Sequence, residues 1–149
     1  MKLLVVTAMT LLSVSAYAKD PEVFCDTGRP SPIELALSKK LASAATSADM
    51  RSAQGEAYAK WDKELNRVYG DLLGALHTDS DKEQLERAQR AWLAFRKEEI
   101  VWLWSDALYG QTSTGTLAPM IVSDIGREAV AKRVCELMRY RKMVYQPAD

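Results

Sequence analysis

The chain has 149 residues, 20 basic and 20 acidic, with 48% hydrophobic residues and a single histidine. That is one ordinary domain's worth of chain, long enough to bury a core without a metal or cofactor. Balanced charge excludes a polyanion-binding surface of the usual basic kind, and one His with two cysteines excludes a metal cluster built from those ligands. We therefore predict one domain, no cofactor, no metal site and no nucleic-acid partner.

In chain order, Lys2 precedes an apolar run from Leu3 to Leu12, followed by Ala16-Tyr17-Ala18. A charged start, a short hydrophobic stretch and small residues at a cut site mark a secretory signal peptide. Residues 1–18 are predicted to be removed, leaving 19–149 as a single periplasmic helical domain with a formal charge of −1. The run falls short of the roughly 20 residues a spanning helix needs, so no membrane association is expected after cleavage. Cys25 and Cys135 both lie in the mature part, and an even count in an oxidising compartment predicts a disulfide between them.

Residues 19–29 read as an irregular arm. Ser31-Pro32-Ile33-Glu34 combines an N-cap serine, proline at the first helical position and glutamate three residues after the cap, so a helix starts there with Ile33, Leu37 and Leu41 on one face. Residues 42–47 end it. A long helix is predicted over 48–76, capped by Ser47 or Asp49, with Gly55 weakening its first turns. Trp61, Leu65, Val68, Tyr69, Leu72, Leu73 and Leu76 recur on one face of that helix at three- and four-residue steps.

His77 to Ser80 form a turn, and Ser80-Asp81-Lys82-Glu83 reads as a capping box for a helix over 81–108. Its stripe is Leu85, Ala88, Trp92, Phe95 and Leu103. Two amphipathic helices joined by a short turn are expected to bury their stripes against each other, which makes this hairpin the predicted scaffold. Ile100 to Trp104 is apolar on all sides, and the favoured reading has that end wrapped by neighbouring helices; the alternative leaves a Trp exposed for a partner. Residues 109–116 are a polar loop. Gly110 and Gly115 have P-loop spacing, but Thr116 stands where the lysine belongs and no strand precedes, so nucleotide binding is rejected. A last helix over 117–143 should place Ile121, Val130, Val134, Leu137 and Met138 inward, with Ser123, Asp124 and Gly126 as candidates for a bend. The fold class is all-α: a small antiparallel bundle of about four helices around the long hairpin.

Chemistry is scarce. The carboxylate pairs Glu98-Glu99 and Asp79-Asp81 are better read as a solvated face and a helix N-terminus. His77 sits in a turn, and no Ser-His-Asp or Cys-His set can be assembled from one histidine. The chain is not expected to be an enzyme.

Asp62-x-x-Leu65-Asn66-x-x-Tyr69, then Gln89-x-x-Trp92-x-x-Phe95-Arg96, then a Gly-containing loop leading to Ala118-Pro119-Met120, and later Arg133, together resemble the LprI-type lysozyme-inhibitor domain over residues 48–137. The resemblance implies a small secreted, disulfide-bearing helical domain of the bacterial envelope. Some members are credited with inhibiting lysozyme, and some immunity proteins against type VI peptidoglycan amidases look similar. The chain departs from the pattern in having Ala53 and Ile100 where the resemblance aligns cysteines, and in having Cys135 where it aligns none. Leu65, Tyr69 and Trp92 fit as contacts at the crossing of the hairpin. Asp62, Asn66, Gln89 and Arg96 belong to the same motifs, and the last three are expected to satisfy one another or a backbone carbonyl.

The implied function is a binding protein that occludes a cell-wall hydrolase. Near-neutral charge gives no steering toward a basic lysozyme and tilts the expectation toward a type VI amidase, with lysozyme inhibition and a purely structural envelope role as alternatives. The predicted contact residues are Tyr109, Gln111, Thr112, Ser113 and Thr114 of the polar loop, with Trp104 as the competing surface. Self-association is left open.

Overall fold

The computed structural model describes residues 22–105 and 117–144, which form five helices: α1 (Glu22–Thr27), α2 (Pro32–Ser43), α3 (Ser47–Ala75), α4 (Asp79–Leu103) and α5 (Leu117–Met143). Among the described residues the fold is all-α, four substantial helices and one short one. The arm predicted as irregular is helical over Glu22–Thr27. Six residues are too few for a periodic apolar signal, so the sequence pattern could not reveal it.

Helices α2, α3 and α4 each open on a side-chain cap. Ser31 Oγ accepts from the Glu34 amide at 3.1 Å, with Pro32 in the first turn. The long helix is capped by Thr46 rather than Ser47 or Asp49. Thr46 Oγ1 accepts from the Asp49 amide at 3.1 Å while Asp49 Oδ2 accepts from the Thr46 amide at 2.9 Å. Asp49 reaches its cap only from the third helical position, and that sets the register one residue early. Likewise Thr78, not Ser80, caps α4, accepting from the Asp81 amide at 3.1 Å. The helix predicted to reach 108 ends at Leu103.

Hydrogen bonds from Thr46, first from its hydroxyl and then from its amide, hold the Asp49 carboxyl below its ordinary 3.8. Lys40 does the same to Glu56, whose ordinary value is 4.5. A carboxyl whose pKa is depressed on folding contributes stability that is present above its unfolded value and is lost as pH falls through its folded one. The melting temperature should therefore drop as pH is taken from about 5 to 3, and Asp49→Asn should flatten that limb. An unchanged acid limb in the variant would remove Asp49 from the account.

The central packing pairs α3 with α5. Trp61, Leu65, Val68 and Leu72 of α3 meet Val130, Val134, Leu137 and Met138 of α5, and each is at most 5% exposed. Burying one such aliphatic side chain stabilises by about 2 kcal/mol. On the N-terminal half of α3, Ala53 and Ala57 let α2 approach closely enough to bury Leu37.

This corrects the predicted scaffold. α3 and α4 are joined by a short turn, yet α5 is the helix that packs along α3, and α4 packs against α5 from outside. Only Gln89 and Leu103 of α4 are buried; Leu85 and Trp92 touch the core cluster from its edge. The inward positions of α4 carry Gln89, Trp92 and Arg96, whose bulk and polarity hold it away from the apolar centre. Ile121 is also misassigned: it is 39% exposed, and the inward positions of that turn are Ala118 and Val122.

The Cys25–Cys135 disulfide ties α1 to α5 across 110 residues. Phe24 beside it sets its ring at 5.1 Å and 69° to that of Trp61.

Candidate functional site

One polar node joins three helices inside the bundle. Arg127 of α5, its side chain 7% exposed, pairs with Glu34 of α2 and, at 2.6 Å, with Asp124 one turn earlier. Glu34 also accepts the indole N–H of Trp61 at 2.7 Å. Burial alone would lower the Arg127 pKa, but the Asp124 and Glu34 carboxylates more than offset it, so the guanidinium stays charged. Glu34 stands three residues after the Ser31 cap, yet its carboxylate turns into the bundle rather than back to the cap. Arg127 escaped the sequence reading, although it stands three residues before Val130 on the same stripe, where a charge signals a buried partner.

A second web links α4 to α5. Arg133, 8% exposed, donates from Nε to Gln89 Oε1 at 3.1 Å and pairs with Glu136 at 3.0 Å. The guanidiniums of Arg133 and Arg96 each lie 5.6 Å from the Trp92 ring centroid, within reach of a cation–π attraction. Arg96 also lies 5.2 Å over the Tyr58 ring and donates to the Tyr58 hydroxyl.

The motif residues thus separate into three places. Leu65 is buried in the main core and Tyr69 packs half-buried beside it, where burial first, and then Glu86, push the Tyr69 hydroxyl above 10. Gln89, Trp92 and Arg96 form the web to α5. Asp62 and Asn66 are exposed, and Asn66 Nδ2 donates to the Asp62 carbonyl at 2.9 Å. Asn66, Gln89 and Arg96 do not satisfy one another: Asn66 takes the expected backbone carbonyl, that of Asp62 on its own helix, while Gln89 bonds Arg133 of α5 and Arg96 bonds Tyr58 of α3. Ala53 and Ile100, aligned with cysteines by the resemblance, are also apart in their packing: Ala53 against Leu37, and Ile100 against Gly126, whose missing Cβ would lie 3.2 Å from Ile100 Cδ1.

Tyr109, Gln111, Thr112, Ser113 and Thr114 lie outside the described residues. Trp104 is described, and the favoured wrapping of its neighbourhood is corrected. Val101 is 61% exposed, Trp102 57% and Trp104 50%, with only Leu103 buried. Phe95, a turn and a half earlier on α4, is 63% exposed. Single exposed apolar residues need no explanation, but several on one helix end form the kind of patch that marks an interaction surface.

On one flank of that end runs a groove of about 480 Å³ between α4 and α5, with Tyr58 of α3 beside it. Among the described residues no group of three or more His, Cys, Asp or Glu side chains could hold a metal ion, and no helix is long and apolar enough to cross a membrane.

The fold and surface define a disulfide-stapled α-helical domain that displays an aromatic helix end beside an apolar groove. The chain belongs to the family described as lysozyme inhibitor LprI, whose pattern matches residues 38–137. No curated protein and no solved structure matches it significantly.

Proposed function

We propose that this chain is an exported inhibitor of a peptidoglycan hydrolase, in the first instance a lysozyme, which it blocks by covering the cleft. Membership of the LprI family over residues 38–137 carries this reading. The leader-like residues 1–18 and the disulfide accord with life in the periplasm, where such a bond persists. Occlusion is the mechanism this reading takes, since both cysteines are bridged and a single histidine is on offer to activate a hydroxyl. The aromatic end of α4 is the contact face: Trp is a typical hot-spot residue, and Trp102 and Trp104 are presented without cost to the core.

The near-neutral charge supports a second reading, immunity against a type VI amidase. It ranks below the first, since charge steering changes the rate of encounter more than it decides the partner, whereas the family description names lysozyme.

The deciding experiment titrates the purified mature chain against a basic lysozyme and, separately, a Cys-His amidase, each on purified peptidoglycan. Stoichiometric loss of lysozyme activity is expected. Trp104→Ala and Trp102→Ala should each weaken binding by about thirtyfold with an unchanged melting temperature. Inhibition of the amidase alone would transfer the function to immunity, and inhibition of neither would leave an envelope interaction protein. If both Trp variants bind as wild type while Tyr109→Ala does not, the contact lies in the polar loop.

A further inference from the structure

We infer that the groove between α4 and α5 is a binding site for a single-chain amphiphile with a carboxylate head, of the medium-chain fatty-acid class. This inference concerns a small ligand and does not rest on the inhibitor reading, although Val101 and Trp104 belong both to the groove wall and to the exposed aromatic end of α4.

The size comes first. About 480 Å³ is within the range of pockets that hold small molecules, and such pockets are mostly apolar with a few placed polar groups. Here Leu93, Ile100, Val101 and Trp104 of α4 face Pro119 and Val122 of α5. The α4 residues repeat at helical steps and so form one stripe, on which Leu93, Val101 and Trp104 are 46%, 61% and 50% exposed. The Ile100–Gly126 approach closes the floor, because at Gly126 a Cβ would meet Ile100 at 3.2 Å.

The charge comes second. Arg96 and Lys97 line the same groove, and neither forms an ion pair among the described residues. Arg96 is turned toward Tyr58 and Trp92, aromatic partners that leave its positive charge uncompensated. Among the described residues no acid lines the groove. Glu98 and Glu99 follow Lys97 but rotate away by about 100° per residue, and Asp124 is engaged by Arg127. An anion is what this end of the groove lacks.

The order of the residues decides the class. The cations stand at 96 and 97, one turn after Leu93, and the longer arm of the apolar stripe runs from them through Ile100 and Val101 to Trp104, about 10 Å further along the helix axis. A charge from which the longer hydrocarbon track leads matches a carboxylate followed by an alkyl chain of eight to ten carbons. A free small anion would leave the track empty, and an uncharged hydrocarbon would leave Lys97 unpaired.

The test uses the full mature chain and decanoate, below the concentration at which it forms micelles, read by titration calorimetry. Decyltrimethylammonium carries the same tail with the opposite charge, and butyrate carries the head with almost no tail. Saturable one-to-one binding of decanoate is expected, with both controls at least about tenfold weaker. Lys97→Glu replaces an exposed side chain and should weaken decanoate about tenfold. Ser123→Trp, at the α5 wall, should block the groove and abolish the heat of decanoate binding. Absence of saturable decanoate binding to the wild type, or equal binding of decyltrimethylammonium, would overturn the assignment whatever the variants do. Wild-type affinity in both folded variants would place any bound decanoate elsewhere and overturn it as well.

Discussion

Replacing Cys25 and Cys135 together by alanine is expected to lower the unfolding free energy by about 4 kcal/mol. The bond closes a loop of 110 residues, and the chain-entropy argument gives about 4.7 kcal/mol for a loop near 100. Native strain or residual structure in the unfolded chain takes something from that figure. The loss should also be local. α1 has six residues, too few to hold as a helix alone, and its packing is with α5, beside the bond, and through Phe24 with Trp61. The variant should therefore show faster amide exchange over 22–27 even where the rest of the bundle keeps its protection. Urea unfolding followed by circular dichroism checks the first part and hydrogen exchange the second. A midpoint equal to that of wild type would mean that packing alone holds α1 in place.

Trp61→Ala should cost about as much, in the range of 3–5 kcal/mol for deleting a buried Trp. The side chain is 1% exposed, sits in the α3–α5 cluster, and receives the edge of Phe24. Its indole N–H also donates to Glu34 at 2.7 Å. Trp61→Phe separates these contributions: it keeps most of the apolar volume and loses the donor. Glu34 retains Arg127 as a partner, so the phenylalanine variant should lose only about 1–2 kcal/mol. The urea midpoint should move without a change in slope in both. Equal losses in the two variants would show that the hydrogen bond, and not the filled volume, is what α3 needs at this position.

The helices and their faces were largely readable from sequence, for physical reasons that also set the limits. Ser31-Pro32 marks the start of α2 because cap and proline act within four residues. Trp61, Leu65, Val68 and Leu72 repeat at helical steps because one face must be apolar. A stripe says which face is buried, not against what. So α3 was paired with its neighbour in sequence, α4, when Val130, Val134 and Leu137 of α5 are better matched to it, being smaller and wholly apolar where α4 offers Gln89, Trp92 and Arg96. The contacts between distant residues were equally hidden. Arg127 and Glu34 are 93 positions apart, and Arg133 and Gln89 are 44 apart. Each side chain taken alone looked like an ordinary charged or amide residue on a helix. The exposure of Trp102 and Trp104 ran against the usual rule that aromatic residues at helical spacing are core. The groove was invisible for a related reason, since it is made by two helices failing to close on each other.

The disulfide also bears on how the protein is made. Cys25 emerges early in synthesis and its partner 110 residues later, an interval of about 5–20 s at ordinary rates. Through that interval Cys25 has no correct partner in its own chain. With two cysteines in all, there is equally no wrong one within the chain, so no isomer needs to be reshuffled. The available errors are a bond to a second newly made copy or to a small thiol, and both are suppressed when α5 docks against α3 and carries Cys135 to α1. Yield on expression should therefore fall with the concentration of nascent chain rather than with the absence of an isomerase.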